Sequence, residues 1–364
     1  MKPIRVLHVI DHLGYGGAPI AVKGIVENID TNKFDIIVCA LRTNPIAIPL
    51  KAKLTSLKSS KYNPKSIFAI NRICRENHID IIHAHLRKSI ITSLVASIFC
   101  KSKIIIQEHG DIFQGGTGYF YRFLLRFLGN RAAKAIVNSQ AAQTALLKTG
   151  LHREKISVIS NFIDFDRFDF NRHDRKTARN ILDIQERQIA IGFVGRLDYY
   201  KGADILIDAA ALLCQDNDTY RFYIVGEGKE REHLEKQIQI RGLTGKVTLI
   251  GLYENPAEIM RGFDIGIIPS RQEAFGIAAV EFMRMKVPII VSPNGALPEL
   301  VQNEQTGIVL QSLTPADISA AIEKLAHDKN LRDMLADKAE VFSQKFDGQQ
   351  QIKQLENIYI SLMQ

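Results

Sequence analysis

The residues best suited to chemistry lie in the stretch from Pro269 to Leu300, PSRQEAFGIAAVEFMRMKVPIIVSPNGALPEL. Two carboxylates in it, Glu273 and Glu281, have seven residues between them. An apolar strand is predicted to end just before Pro269, so Glu273 falls in the loop that follows. A helix is predicted to start near Gly276, which puts Glu281 in its second turn.

This arrangement suits a ligand that is both anionic and rich in hydroxyls. The free amides of Phe275, Gly276, Ile277 and Ala278 lie at the positive end of the predicted helix, where a phosphate can bind. Gly276 has no side chain to block the approach. The two carboxylates can accept hydrogen bonds from a sugar and a ribose, at about 1.5 to 3 kcal/mol each. A bare pair of Glu residues that caps and solubilises a helix has the same spacing, so the pair alone leaves both interpretations open.

Two further loops follow predicted strands. In FVGRLDYYKG, Arg196 and Lys201 are five residues apart and can bind a diphosphate from two sides, Arg as a fork and Lys as a point charge. The loop Gly14-Tyr15-Gly16-Gly17 lets the backbone approach a phosphate or sugar closely, although its spacing is not the G-x-G-x-x-G of dinucleotide sites. A tight strand-to-helix turn without a ligand remains the alternative for these glycines.

Three histidines lie near predicted strand ends. His109, in KIIIQEHG, follows the carboxyl end of its strand, where open α/β sheets bind their ligands. A neutral His there can orient a sugar or assist proton movement. His83 and His85 close the preceding strand, and a spacing of two is not a sufficient zinc set, so packing is the favoured interpretation for both.

The elements that must position these residues alternate between strand and helix, which predicts parallel sheets covered on both faces. The predicted strands are Ile4 to Ile10, Asp35 to Leu41, Ile79 to His83, Lys103 to Gln107, Lys134 to Val137, Ile156 to Ile159, Ile189 to Val194, Arg221 to Val225, Lys246 to Ile250, Asp264 to Ile268 and Pro288 to Val291. The pattern restarts at residue 189 after a linker around Asp164 to Gln188. The sequence therefore predicts an α/β protein of two tandem Rossmann-like domains.

Composition agrees with two domains. The chain has 364 residues, of which 46% are hydrophobic and 24% charged. The cysteines, Cys39, Cys74, Cys100 and Cys214, lack metal-site spacing, so we expect them to be reduced. We expect no signal peptide, and the longest uncharged apolar run, 89–100, is shorter than the roughly 20 residues of a membrane span.

Charge is unevenly distributed. Residues 1–165 carry 23 Lys and Arg against 10 Asp and Glu, and the remainder carries 24 against 29. A basic surface without a recognisable nucleic-acid module favours anionic lipid or an acidic glycan as partner, and no nucleic acid is expected. The aromatic helix predicted over 119–130, with Arg122 and Arg126 one turn apart, suits an anionic membrane or ordinary core packing. The basic segment 51–65 is a second lipid-facing candidate or a solvated loop.

The stretch around Glu273 and Glu281 resembles the E-x7-E signature of retaining glycosyltransferases of family 4. The G-R-L-x-x-x-K-G block at Arg196 and Lys201, the Gly16-Gly17 loop and His109 are similar to further blocks of that family, in the same order. The resemblance implies a GT-B fold with an interdomain cleft. It assigns 1–165 to acceptor binding, with the terminal helix 349–364 packing back on that domain, and 166–348 to nucleotide-sugar donor binding.

The resemblance also implies an activity. We expect transfer of a hexosyl or N-acetylhexosaminyl group from a nucleotide diphosphate donor, a UDP-sugar in the first instance, to a hydroxyl of a glycan or lipid-linked glycan. The setting would be bacterial cell-surface polysaccharide or lipopolysaccharide synthesis. The protein would be cytoplasmic, with peripheral contact to the inner face of the membrane as an option.

The site residues implied by the resemblance fall into two sets. The catalytic set is Glu273, His109, Arg196 and Lys201. The donor-binding set is Gly16, Gly17, Arg196, Lys201, Leu252, Glu273, Ala274, Phe275, Gly276, Ile277 and Glu281. His109 and the Gly16-Gly17 loop would complete the site as the two domains close. Because cationic groups and helix amides would stabilise the leaving diphosphate, and no DxD-type ligand pair is present, we expect neither a metal nor a cofactor.

Three alternatives stay open at this point. A non-catalytic nucleotide-sugar-binding partner would bind the donor without transfer, and a sugar-nucleotide epimerase would release an isomerised sugar. An NAD-dependent oxidoreductase would need G-x-G-x-x-G and an acidic residue after the second strand, which the first loop does not offer convincingly. The sequence departs from the family at Phe162, where N-G-I-D has Gly, and at Arg284 and Lys286, where small residues are usual.

Overall fold

A computed structural model describes residues 2–14, 17–43, 49–57, 63–110, 118–215 and 217–364. The chain forms two compact units. Unit 1 comprises Met1–Phe162 together with Gly348–Gln364, and unit 2 comprises Ile163–Asp347. Each unit contains a parallel sheet with helices in alternation, which confirms the predicted α/β class with two parallel sheets.

The sheet of unit 1 has seven strands in the order β3-β2-β1-β4-β5-β6-β7. They are β1 (Ile4–Ile10), β2 (Phe34–Ala40), β3 (Lys53–Ser56), β4 (Ile81–His85), β5 (Lys103–Gln107), β6 (Lys134–Val137) and β7 (Ile156–Val158). The inner strands are mainly apolar because both faces of the sheet are covered, with His8, His83 and His85 as buried polar exceptions. The basic segment 51–65 contributes the edge strand β3, which the sequence did not predict.

The helices of unit 1 cover both faces of this sheet. They are α1 (Gly17–Asn28), α2 (Lys65–Glu76), α3 (Arg87–Ala96), α4 (Gly118–Leu128), α5 (Gln140–Leu147) and, from the end of the chain, α14 (Gly348–Met363). On one face Ile352, Leu355 and Tyr359 of α14 join Val6 and Ile81 in a buried core. The end of the chain is thus part of the core of unit 1.

The sheet of unit 2 has six strands in the order β10-β9-β8-β11-β12-β13. They are β8 (Ile189–Val194), β9 (Tyr220–Val225), β10 (Val247–Gly251), β11 (Ile265–Ile268), β12 (Ile289–Val291) and β13 (Ile308–Val309). The helices are α6 (Arg175–Ile181), α7 (Ala203–Leu213), α8 (Arg231–Ile240), α9 (Ala257–Met260), α10 (Ile277–Arg284), α11 (Leu297–Leu300), α12 (Pro315–His327) and α13 (Lys329–Ser343).

Each sheet has a point where the strand order reverses. In unit 2 the chain runs outward from β8 to β10 and then places β11 on the other side of β8. In unit 1 it runs from β1 to β3 and then places β4 on the other side of β1. The loops that leave the carboxyl ends of such paired strands diverge and open a crevice for ligands. Arg196, Lys201 and Glu273 follow β8 and β11 at the reversal of unit 2, and Gly17 follows β1 at the reversal of unit 1, whereas His109 and Leu252 follow β5 and β10.

Candidate functional site

The loop after β8 carries Arg196 and Lys201. Arg196 is exposed and its Nη2 lies 3.0 Å from Oδ2 of Asp198, and the other carboxylate oxygen, Oδ1, accepts a hydrogen bond from the Tyr200 backbone amide. Lys201 ends a short 3-10 turn and is followed by Gly202 with φ of 73°. A Cβ at Gly202 would stand 1.9 Å from the carbonyl oxygen of Pro269. Glycine therefore permits the contact that brings Lys201 against the loop after β11.

Hydrogen bonds hold the loop after β11 against the same region. The Arg271 guanidinium donates to both carboxylate oxygens of Asp204, at 2.8 and 2.6 Å, and the Arg271 amide donates to the Tyr200 carbonyl at 2.7 Å. On its other side the loop meets Gly295, whose φ is 65° and where a Cβ would stand 2.0 Å from the carbonyl oxygen of Glu273. These contacts fix the backbone that carries Glu273.

The Glu273 carboxylate faces Lys201. Lys201 Nζ lies 2.7 Å from Glu273 Oε2, and the Ser270 hydroxyl donates to the same oxygen at 3.2 Å. The Glu273 side chain is 11% exposed and that of Lys201 is 24% exposed. A cation and a hydrogen-bond acceptor thus stand side by side at the reversal between β8 and β11, and both remain accessible to a ligand.

Helix α10 begins beside this pair. Its N-cap is Gly276, with φ of 102° and no side chain over the first amides. Phe275 is buried in the core next to it, while Ile277 and Ala278 are partly exposed. The amide groups of the first turn are consequently available to an anion.

Glu281 lies one turn further along α10 and is partly buried. Burial raises the pKa of Glu281 to about 7, against an opposing effect of the positive charge on Arg167. A carboxyl group with a pKa near neutrality can accept or share a hydrogen bond with a ligand hydroxyl over the physiological range.

A cavity of about 570 Å³ lies in unit 2 at the carboxyl end of β10. It is lined by Arg167, Leu252, Tyr253, Glu254, Asn255 and Glu258. Arg167 donates to Asn255 Oδ1 at 3.0 Å and to the Glu254 carbonyl, and its own amide is held by Asp164 Oδ1 at 3.0 Å. Leu252 is 59% exposed on this wall. The sequence did not identify Arg167, which follows the N-F-I-D turn by three residues.

In unit 1, His109 lies in the loop after β5, and Gly17 follows the loop after β1. Gly17 is the first residue of α1, whereas Gly16 lies outside the described residues. His109 Nε2 lies 2.9 Å from His85 Nδ1, and His85 Nε2 lies 2.8 Å from His8 Nδ1. Burial lowers the pKa of His109 to about 4, and burial followed by the charge of His109 lowers the pKa of His8 to about 3. These imidazoles are therefore neutral at physiological pH.

His83 and His85 lie inside β4 and are fully buried, in agreement with the packing interpretation. They are nevertheless hydrogen-bonded to other polar side chains, since His83 Nδ1 lies 2.6 Å from the hydroxyl of Tyr359. Sequence reasoning missed His8 and Tyr359 altogether. The alternation of side chains along a strand offers one signal. His8 pairs in register with His83, so both side chains must lie on the same face of the sheet.

Helix α4 presents aromatic side chains to solvent. Tyr119, Phe120, Phe123 and Phe127 are 81%, 66%, 57% and 64% exposed, while Tyr121 on the opposite face is buried. Core packing, one of the two interpretations of this helix, thus accounts for only part of its aromatic content. Within the described ranges, none of the helices combines the length and the apolar character that crossing a bilayer requires.

Two family models match the chain. The glycosyltransferase family 4 model matches residues 15–167, and the glycosyl transferases group 1 model matches residues 174–342. The curated relatives include an alpha-D-kanosaminyltransferase of Streptomyces kanamyceticus, 28% identical over 65% of this chain and 62% of its own length. The chain thus spans less than two thirds of that relative. The curated relatives also include a putative glycosyltransferase EpsF of Bacillus subtilis, which is 24% identical over 98% of this chain and 96% of its own length.

Among solved structures, the chain is similar to Anabaena Alr3699/HepE in complex with UDP. The two share a TM-score of 0.84 and 22% sequence identity, over 98% of this chain and 100% of that one. This likeness shows the fold. With the two parallel α/β units, it confirms the predicted GT-B class.

Proposed function

Since the chain belongs to the family 4, group 1 glycosyltransferases, we propose that it transfers a sugar from a nucleotide diphosphate donor to an acceptor hydroxyl with retention of configuration. The observation that carries this proposal is the Lys201–Glu273 pair beside the open amino end of α10. The point where the strand order reverses thus brings together a cation, a hydrogen-bond acceptor and free amides. This set matches a ligand that carries a phosphate next to sugar hydroxyls.

The positive groups of unit 2 act on the leaving diphosphate. Lys201, Arg196 and the first amides of α10 would stabilise the negative charge that grows as the glycosidic bond of the donor breaks. One preorganised donor of this kind contributes about 2.7 to 4 kcal/mol to the transition state. Because side chains and amides supply this charge, we propose a metal-independent reaction without a cofactor.

The carboxylates act on hydroxyl groups of the donor. Glu273, oriented by Lys201 and Ser270, would accept hydrogen bonds from the transferred sugar, and Glu281 from the ribose. The cavity wall at Leu252 and Arg167 would receive the base. A uridine donor is favoured because structural neighbours were solved with UDP and UDP-glucose. A hexosyl-type sugar is supported by the name of the kanosaminyltransferase relative.

Retention fits front-side attack within an ion pair. The acceptor hydroxyl would approach the anomeric carbon on the side of the departing diphosphate, whose oxygen takes the acceptor proton. No separate glycosidase-type nucleophile and acid are needed for this route. His109 would contact the donor sugar and help to place the acceptor.

The acceptor is proposed to be a glycan or lipid-linked glycan of a bacterial cell-surface polysaccharide or lipopolysaccharide. The support comes from unit 1, which carries the basic half of the sequence and the exposed aromatic residues of α4. Aromatic rings beside Arg side chains favour contact with an anionic membrane surface. Such contact would place the protein on the inner face of the cytoplasmic membrane.

Release of nucleotide from UDP-, GDP- and ADP-sugars by the purified protein, with EDTA present, tests the proposed activity. Slow release from one donor, and a new glycosidic bond when an acceptor is added, is the expected result. Binding of a donor without transfer or hydrolysis across acceptors would favour a nucleotide-sugar-binding partner. An isomerised sugar as product would favour an epimerase, and dependence on added Mg²⁺ or Mn²⁺ would refute metal independence.

Sedimentation with vesicles tests the membrane contact. The wild-type protein should bind vesicles that contain anionic lipid and should bind neutral vesicles less, with binding reduced by salt. The Phe120→Ser, Phe123→Ser double variant should lose most of this binding. Ile240→Ser, at an exposed apolar residue of unit 2, is the matched control. Equal binding by the double variant and the control would refute a role for α4.

A further inference from the structure

Unit 1 contains a continuous chain of buried hydrogen bonds that ends at His109. From the surface inward it runs from His109 through His85 and His8 to Tyr359 and then His83. The five residues come from β1, β4, α14 and the loop after β5. Both ring nitrogens of His8 and of His85 are paired within this chain, as is the Tyr359 hydroxyl.

The two hydrogen bonds of the Tyr359 hydroxyl differ in length. Its oxygen lies 2.6 Å from His83 Nδ1 and 3.3 Å from His8 Nε2. Bonds in which a hydroxyl is the donor are shorter than those in which a ring N–H is the donor. The lengths therefore indicate that Tyr359 donates to His83 and accepts from His8.

This direction determines the tautomer of every imidazole in the chain, because a neutral imidazole has one N–H. His8 carries its proton on Nε2, so its Nδ1 must accept from His85 Nε2–H. His85 Nδ1 must then accept from His109 Nε2–H. The remaining nitrogen, His109 Nδ1, is left with a lone pair.

The two ends of the chain are His83 Nε2 and His109 Nδ1. His83 would carry its proton on Nε2, a buried nitrogen without a hydrogen-bond partner among the described residues, and the interaction with Gln107 partly opposes the lowering of the His83 pKa by burial and by its neighbours His8 and His109. At the other end, His109 Nδ1 is buried and has no partner within the described part of the chain. The nitrogen left over by the chain is thus an acceptor without a hydrogen bond, which a substrate hydroxyl can satisfy.

We propose that Tyr359, His8 and His85 are positioning residues that hold His109 in its Nε2–H tautomer, so that Nδ1 accepts a hydrogen bond from a hydroxyl of the substrate. This role rests on the glycosyl transfer proposed above. Reversal of the Tyr359 hydroxyl towards His8 would invert each bond in turn and convert His109 Nδ1 from an acceptor to a donor. The direction in which the Tyr359 hydroxyl donates thereby decides whether His109 Nδ1 is a hydrogen-bond acceptor or a donor.

A metal ion is the competing occupant of this cluster, because ring nitrogens of His8, His83 and His85 lie within 4.8 Å of one another. Coordination at about 2.0 to 2.1 Å would require His8 and His85, both of whose ring nitrogens are paired, to give up a hydrogen bond. The chain accounts for the nitrogens of His8 and His85 without that rearrangement, and it also accounts for the Tyr359 hydroxyl and His109 Nε2.

Tautomers are read directly from ¹⁵N chemical shifts of histidine side chains. In the wild-type protein, His109 should show a protonated Nε2 and an unprotonated Nδ1. In Tyr359→Phe, which keeps the ring contact with Phe34 at 5.6 Å, His109 should become a mixture of both tautomers. Tyr223→Phe removes another buried hydroxyl, bonded to the Leu182 carbonyl in unit 2, and should leave the His109 signals unchanged.

Kinetics and metal content complete the test. In Tyr359→Phe we expect kcat to fall about tenfold, with the donor KM unchanged. Wild-type His109 protonated on Nδ1, unchanged tautomers in Tyr359→Phe, or stoichiometric metal in the purified protein would each overturn the proposal. Absence of transferase activity in the wild type would refute the proposed function, whereas the ¹⁵N signals would still decide the tautomer.

Discussion

Replacement of Lys201 by Ala should separate the catalytic and structural contributions of one ion pair. The ammonium lies 2.7 Å from Glu273 Oε2, and both side chains are largely withdrawn from solvent. Removal of the ammonium takes a positive charge away from the departing diphosphate. It also leaves the Glu273 carboxylate with the hydroxyl of Ser270, at 3.2 Å, as its neighbour.

The two effects have different sizes. Loss of one preorganised donor to the leaving group costs about 2.7 to 4 kcal/mol, so kcat should fall by about 10² to 10³. Leaving a partly buried carboxylate without its cation costs about 1 to 3 kcal/mol of folding free energy. For a unit of this size, each kcal/mol lowers Tm by about 2 to 4 °C. The variant should therefore remain folded at assay temperature while it loses nearly all activity.

The assay is steady-state nucleotide release, with Tm measured on the same samples. Lys246→Ala is the matched control, because Lys246 forms an ion pair with Asp218 in the same unit and its side chain is 25% exposed. We expect Lys246→Ala to keep wild-type kcat. A Lys201→Ala enzyme that is folded and within threefold of wild-type kcat would refute the role of Lys201 in stabilising the leaving group.

Three further predictions concern other parts of the molecule. Gly202→Ala should lower both the Tm of unit 2 and donor affinity measured by calorimetry, since the new Cβ would meet a backbone carbonyl at 1.9 Å at a φ of 73°; wild-type values for both would contradict the close-packing argument. Glu281→Gln should raise Tm at pH 8 and lose most of that advantage towards pH 5, because the pKa of Glu281 is raised to about 7, so the cost of ionising it in the fold is complete above pH 7 and shrinks as the pH falls towards the ordinary value of 4.5; an equal advantage at both pH values would show that Glu281 is not perturbed. Unfolding free energy from urea titrations should fall below pH 6.5 by about 1.4 kcal/mol per pH unit for each of His8 and His109, because the unfolded chain binds protons that the native imidazoles, with pKa values of about 3 and about 4, do not. Burial raises the pKa of Glu108 and of Glu281 to about 7, so both oppose this loss between pH 7 and pH 4.5, whereas His83 and His85, whose pKa values burial also lowers, add to it. The loss therefore dominates, and an unchanged urea midpoint from pH 7 to pH 5 would argue against neutral buried histidines.

Much of the fold follows from apolar runs that sheets buried on both faces require. The strands Ile4–Ile10 and Ile189–Val194 occur at the predicted bounds because each is a continuous buried run. The edge strand Lys53–Ser56 has largely exposed side chains and the strand Ile308–Val309 has two residues, so neither has a recognisable pattern. Their formation depends on pairing with neighbours already in place.

The candidate site is predictable in part for a similar reason. The positions of Lys201 and Glu273 at strand ends follow from the local pattern. Their contact does not, because it depends on how closely Gly202 approaches a loop far along the chain. The chain from His109 to Tyr359 is harder still, since residues separated by hundreds of positions meet only through tertiary packing.

The return of α14 to unit 1 has a consequence for folding during synthesis. The chain leaves unit 1 at Phe162, forms the whole of unit 2 and supplies the last core helix of unit 1 only from Gly348 onward. Unit 2 can therefore complete its core on the ribosome while the apolar face formed by Val6 and Ile81 still awaits Tyr359. A nascent chain arrested before α14 would expose that face, so premature termination near the end of the message should yield an aggregation-prone product rather than a slightly shortened enzyme.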